Sequence, residues 1–218
     1  MDNKSKIIVL FIIIYSFAVY AIFMEKYVGG SDWWAYYSMA ELFKKGRISL
    51  CVKFDPKEYP CIAPLGYRVA NGKVVPTYPP GYPLVLALFD FLHLKKYVNP
   101  LFGALTIFLM FVLLLPLGEI IAICFCILWA VLPIVVYSST TWMSDIIATF
   151  CILLTYLLYI KNRKLLSGVI LGASLLVRPT NIAFLLVLLF RQSKLDKKKF
   201  LIGFGTVSYT HLTLPTKA

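Results

Sequence analysis

The stretch YVNPLFGALTIFLMFVLLLPLGEIIAICFCILWAVLPIVVYSSTTWMS, residues 97–144, contains one charged residue, Glu119. The uncharged runs on either side, 97–118 and 120–144, are 22 and 25 residues long, and roughly 20 apolar residues suffice for a helix to cross a bilayer. Pro116 and Gly118 beside Glu119 supply a tight turn. The stretch therefore reads as a helical hairpin in a membrane, with spans over 98–117 and 120–138. The rest of the chain agrees, because its 218 residues are 60% hydrophobic and 15% charged, with a mean hydropathy of +0.81, and such a composition makes no water-soluble surface.

Moving outward, residues 7–24 carry no charge and follow Lys4 and Lys6. The run is too long for a signal-peptide core and no small-x-small site precedes Glu25, so it reads as a retained first span. Residues 145–160 form a shorter span ending at Lys161-Asn162-Arg163-Lys164, and 165–190 is apolar except for Arg178-Pro179 at its midpoint. Leu84–Leu94 is eleven residues long and holds Asp90, which is too short to cross unaided. Laid along the interface, it leaves Lys161, Arg163 and Lys164 on the cytoplasmic side with Lys4 and Lys6, as the positive-inside rule asks, with Lys95 and Lys96 as the exceptions. The five basic residues from Arg191 to Lys199 should share that side. Residues 165–190 must then enter and return as half-helices 165–177 and 180–190, bending at Arg178–Asn181. The expectation is an all-α, multi-pass protein of the cell membrane, with the N-terminus cytoplasmic.

The 22 Lys and Arg against 10 Asp and Glu give a net charge of +12. These basic residues flank uncharged runs as topology determinants do, so the lipid bilayer and not nucleic acid is the expected partner. The composition also excludes disorder, collagen and a disulfide-stapled scaffold. Cys51 and Cys61 in the outer loop can pair or stay free; Cys124, Cys126 and Cys151 lie in spans. His93 and His211 are isolated, and no metal cluster, nucleotide loop or Ser/His/Asp set is present.

The outer loop, 25–97, is 73 residues long, and ordered loops of that length are usually functional. Ser31 is a candidate N-cap, followed by Trp33, Tyr36, Tyr37, Ala40 and Phe43 at helical spacing opposite Glu41, Lys44 and Lys45, a pattern suited to a helix in the headgroup layer. Tyr67–Ala70 and Lys73–Val75 flank Asn71-Gly72, which suits a β-hairpin or a simple turn. YPPGYP at 78–83 sets a rigid entry into the interfacial segment.

Asp32 sits in a helix's first turn just past the first span, where the macrodipole favours a carboxylate. Asp145 begins the 145–160 span on the same face, with Ser144 as a candidate cap. Taken singly, both are as well explained as ordinary helix-start charges. Arg178 is harder to account for structurally, since an arginine in an apolar segment costs about 2.5–3.5 kcal/mol on insertion scales and usually faces a polar cavity or partner, the alternative being snorkelling to the surface. Two acids and an arginine around an outer-face cavity suit group transfer from a lipid-linked phosphate: a carboxylate takes the acceptor proton while a cation stabilises the departing phosphate. A transporter or flippase-like protein, favoured by the broken 165–190 segment, and a non-catalytic assembly subunit are the competing classes.

With these residues in hand, the chain resembles the C-superfamily glycosyltransferases (GT-C), in particular prokaryotic relatives of protein O-mannosyltransferases and lipid A aminoarabinose transferases. The matching pieces, in order over residues 7–200, are SDWWAYY at 31–37, YPPGYPLVLAL at 78–88, SD at 144–145 and GVILGASLLVRPTN at 168–181. The resemblance implies a GT-C-like N-terminal transmembrane module with interfacial helices in its long first outer loop. It also implies a polyprenyl-phosphate-sugar donor, a lipid, glycan or protein acceptor, and transfer at the outer face. It gives Asp32 the role of general base, Asp145 a supporting role and Arg178 the donor phosphate, with Tyr36, Tyr78, Pro79 and Pro80 as outer-loop substrate-site candidates. Some relatives carry two consecutive acids where this chain has Ser31-Asp32, and a divalent metal stays open as a cofactor. Composition changes after Thr206, and VSYTHLTLPTKA at 207–218 resembles translated sequencing-adaptor read-through. The module is accordingly expected to occupy 1–206 and to be the N-terminal part of a longer protein.

Overall fold

The computed structural model describes residues 2–50, 64, 66–70, 73–190 and 194–213. Among these are ten α-helices and one two-stranded antiparallel sheet. The helices are α1 (Asn3–Ile22), α2 (Ser31–Lys44), α3 (Gly81–Asp90), α4 (Val98–Leu114), α5 (Glu119–Val131), α6 (Pro133–Thr140), α7 (Asp145–Ile160), α8 (Lys164–Val177), α9 (Ile182–Phe190) and α10 (Lys194–Thr213); the strands are β1 (Tyr67–Ala70) and β2 (Lys73–Pro76). The candidate Cys51–Cys61 pair and the Asn71-Gly72 turn lie outside the described residues.

Two helical units are long and apolar enough to cross a membrane: α1, with 20 residues, and Lys95–Leu117, with 23, in which α4 is flanked by 3-10 turns. The second arm of the expected hairpin is broken. Pro133 has no N–H and disfavours a helical conformation in the residue before it, so Leu132 is extended (φ −61°, ψ 124°) and α5 and α6 meet at 58°. α7 and α8 are apolar but shorter, at 16 and 14 residues.

Side-chain contacts order the helices by direction. At one end Ser5 Oγ donates to Glu119 (2.6 Å), joining the start of α1 to the start of α5. At the other, Glu25 N–H donates to Thr140 C=O (2.8 Å) and Trp142 Nε1 to Glu25 C=O (3.1 Å), joining the chain after α1 to the chain after α6. Phe102 and Phe150 stack edge-on at 5.0 Å, so α4 and α7 leave the second end side by side. Ser167 Oγ donates to Thr155 C=O (2.8 Å), and Arg178 returns to Asp145, so α8 runs antiparallel to α7. Lys4, Lys6, Lys161, Arg163 and Lys164 thus share the end of the bundle that holds Glu119, while Asp32, Asp145 and Arg178 share the opposite end.

α3 stays at this second end, with Gly81 against Leu176 and Asp90 bonded to Lys44 (2.8 Å). It starts at Gly81, three residues before the expected Leu84, because Pro80 caps it and Pro83 falls in its first turn, where a backbone N–H has no helical partner to lose. Leu84 and Leu88 on α3, and Phe91 and Leu92 just past its end, are exposed while Tyr82 and Leu86 are buried. The hairpin pairs Tyr67 with Pro76 and Ala70 with Lys73. It packs Tyr67 and Val74 on Met39, so α2 is covered by the sheet on one side and α3 on another.

α8 and α10 touch backbone to backbone: a Cβ on Gly168 would strike Phe200 C=O, and one on Gly172 would lie 3.0 Å from Phe204 C=O. This small-xxx-small spacing is the close-approach arrangement of helices packed without a hydrophobic driving force between them. The two pairings advance together, so α8 and α10 are parallel, and α9 carries the chain back between them. α10 continues to Thr213 through the composition change at Thr206.

Candidate active site

Asp32 lies in the first turn of α2, and Tyr36 follows one turn later on the same face. Gly30, not Ser31, is the N-cap; Ser31 is already helical and its Oγ turns to Asp32 Oδ1 (3.3 Å). The same Oδ1 accepts the Tyr78 hydroxyl. Oδ2 receives no hydrogen bond among the described residues. Hydrogen bonding to the Asp32 carboxylate pushes the Tyr78 phenol up to about 12, with burial adding to it. At neutral pH Tyr78 is therefore a fixed donor that orients the acid.

The ring of Tyr36 is packed edge-on against Tyr78 (5.1 Å) and Tyr82 (5.0 Å). Its hydroxyl lies 3.3 Å from Ser144 Oγ. Ser144 precedes Asp145 but makes no side-chain cap bond to α7, because its hydroxyl is engaged by Tyr36. Asp145 Oδ1 accepts from Arg178 Nη1. Burial raises the Tyr36 phenol, the Ser144 hydrogen bond and the Arg178 charge oppose the rise, and Asp32 and Asp145 add to it. One tyrosine thus feels both acids and the arginine, which come from residues 32, 145 and 178 of the chain.

Three devices hold this arrangement. Tyr82, fully buried, donates to Asn99 Oδ1 (3.0 Å). Asn99 Nδ2 in turn faces the carbonyls of Ser138 (3.1 Å), Thr141 (2.5 Å) and Met143 (2.8 Å), tying down the segment that delivers Ser144 and Asp145. Gly81 sits on the last turn of α8, where an added Cβ would lie 2.7 Å from Leu176 C and 2.8 Å from its carbonyl oxygen. That approach sets the YPPGYP element beside the end of the helix that presents Arg178. Arg178 itself is extended (φ −147°, ψ 115°) because Pro179 follows, and α8 stops there.

Of the residues singled out in the sequence, Asp32, Tyr36, Tyr78, Asp145 and Arg178 come together. Pro79 and Pro80 are half-buried and serve to start α3. Arg178 is paired and not free, which makes Asp145 its positioning partner; the arginine side chain is 42% exposed and the guanidinium has further N–H donors. Beside the pair opens a groove of about 220 Å³ lined by Asp145, Arg178, Thr180 and Asn181 at its polar end and by Ile152 and Leu153 along α7. Among the described residues no three His, Cys, Asp or Glu side chains converge as a metal site. Asn99 and Tyr82 were not singled out in the sequence; the one signal was an asparagine inside an apolar run. No protein-family model, curated protein or solved structure matches the chain.

Proposed function

We propose that the protein is a membrane glycosyltransferase of the GT-C kind that transfers a sugar from a polyprenyl-phosphate donor to a lipid, glycan or protein acceptor at the outer face. The observation that carries this reading is the convergence of Asp32, Tyr78, Tyr36, Asp145 and Arg178 at the end of the helices opposite the Lys4, Lys6 and Lys161–Lys164 charges. In this reading the bundle is multi-pass, and the basic end is cytoplasmic by the positive-inside rule. Asp32, held through Oδ1 by Tyr78, takes the acceptor proton on Oδ2 as the acceptor oxygen attacks the anomeric carbon. The bond from that carbon to the phosphate oxygen breaks, and Arg178 holds the charge that develops on the phosphate, so that no charge is stranded in an apolar setting. The polyprenyl chain follows the apolar wall of the groove along α7.

The test is transfer from a polyprenyl-phosphate-sugar by membranes expressing the protein. Asp32→Asn is expected to lower turnover by at least about 100-fold, the usual contribution of a general base, at unchanged protein level. Activity retained in that variant overturns the assignment. The broken α8–α9 pair with its charged bend is what favours a transporter instead; that reading requires substrate flux in proteoliposomes without a glycosylated product.

A further inference from the structure

A second polar cavity, of about 300 Å³, lies at the same end of the helices but on other elements. It is lined by Lys26 from the segment after α1, by Tyr37 and Trp142, and by His93, Lys95 and Lys96 from the turn after α3, with Val28 and Asp90 completing it. Asp90 is the one carboxylate in the lining, and its Oδ2 is taken by Lys44 (2.8 Å) and Lys95 (3.3 Å). Lys95, buried over the Tyr37 ring (4.0 Å), is further paired with Glu41. These two lysines and two acids balance. Lys26 and Lys96 have no carboxylate partner among the described residues, Lys96 lying over the Tyr97 ring (4.7 Å), so the lining carries about two positive charges that no carboxylate offsets.

The chain next to the lining residues supplies apolar rims: Phe23 and Tyr27, on either side of Lys26 in sequence, are 70% and 79% exposed, and Phe91 and Leu92, between Asp90 and His93, are 63% and 66% exposed. A soluble anion would need the lysines but not these rims. An amphiphile with an anionic head would use both, burying chain methylenes against the rims.

We propose that this cavity binds the phosphate headgroup of an anionic membrane lipid, through Lys26 and Lys96, with the lipid's chains laid against Phe23 and Phe91–Leu92. The site is separate from the Arg178 groove and does not depend on the transferase reading. Trp142 in its wall provides the probe once Trp33, Trp34 and Trp129 are replaced by phenylalanine. The purified protein in neutral detergent is titrated with brominated-chain phosphatidylglycerol or phosphatidylcholine while tryptophan quenching is followed. Phosphatidylglycerol should bind more tightly by roughly fivefold per lysine, hence about 25-fold. Lys26→Gln and Lys96→Gln should each remove about a fivefold step, and the double variant the whole preference, while Lys4→Gln/Lys6→Gln at the other end leaves it intact. Inorganic phosphate at millimolar concentration should not displace the lipid. Equal quenching by the two lipids, a preference that survives the double variant, or full displacement by phosphate alone overturns the proposal. Each of these variants alters exposed lysines, and none touches the residues assigned to transfer.

Discussion

At the level of single residues, the candidate base is defined by what is done to each of its oxygens. Tyr78 and Ser31 occupy Oδ1 of Asp32, and among the described residues Oδ2 has no hydrogen-bond donor. The Tyr78 phenol, raised to about 12 by that carboxylate, makes a pH prediction whose sign is fixed. A group whose native pKa is raised stabilises the fold fully below its unfolded value near 10, and the contribution is lost as pH rises from there through 12. The phenolate absorbance difference between wild type and Tyr78→Phe should therefore titrate near 12, and in an Asp32→Asn background it should move down toward 10. A Tyr78 that titrates near 10 in the wild type means the hydrogen bond is absent in solution. Asn99 gives a second prediction. Its amide answers three carbonyls and the Tyr82 hydroxyl in a buried setting, so Asn99→Leu strands polar groups at about 1–3 kcal/mol for each one left unpaired. A thermal midpoint unchanged from wild type contradicts that accounting.

Among elements, the contact between α3 and α8 decides the geometry of the site. Gly81→Ala sets a methyl within 2.7 Å of Leu176 backbone, which cannot rotate away as a side chain would. The strain expected is about 1–3 kcal/mol, and because the moved helix end presents Arg178, transfer should fall even in preparations that remain folded. Full activity and stability in Gly81→Ala would show that the close approach is not used. At the same scale Lys95, one of the two lysines that depart from the expected charge pattern, is answered by Glu41 and Asp90, whereas Lys96 has no such ion pair among the described residues. Burial pushes the Asp90 carboxyl up, but the Lys44 hydrogen bond and the Lys95 charge outweigh it and hold it below the usual carboxylate range. This contribution is present above the unfolded pKa near 4 and is lost only as pH falls further, so the α2–α3 junction should persist in mildly acidic buffer.

For the whole molecule, the two ends of the bundle differ in chemistry, and the membrane reading requires that they face different compartments. Single-cysteine variants Arg163→Cys and Gly29→Cys, in a background whose own cysteines are replaced by serine or alanine, should react with a membrane-impermeant maleimide from opposite sides. Labelling of both from one side would break the link between the charge pattern and the orientation. Exposed apolar side chains on α1 and α5, such as Phe11, Ile14, Ile120 and Leu128, form the surface that lipid would cover in this arrangement.

Much of the helical plan could be read from local signals. Charge-free runs marked α1 and α4, Lys161–Lys164 separated α7 from α8, Arg178-Pro179 broke α8 from α9, and Asn71-Gly72 between β-prone segments pointed to the hairpin whose strands pair. These features follow from the cost of moving charge or unpaired backbone into an apolar phase, which each residue carries wherever it lies in the chain. The kink at Leu132-Pro133 also has a local signal, the proline, inside a run whose length alone reads as one span. Other features had none. Ser31 and Ser144 looked like caps, and their hydroxyls instead serve Asp32 and Tyr36, because a hydroxyl takes whichever partner tertiary packing brings nearest. Arg178 looked available for an anion and is held by Asp145, 33 residues away. Asn99 at the centre of the network, and Lys26 beside Lys96 in the second cavity, depend on helices returning to the same end. Composition determined what this chain can dissolve in and where its helices stop; packing alone decided which side chains meet, because those meetings are set by distances in space that no local pattern encodes.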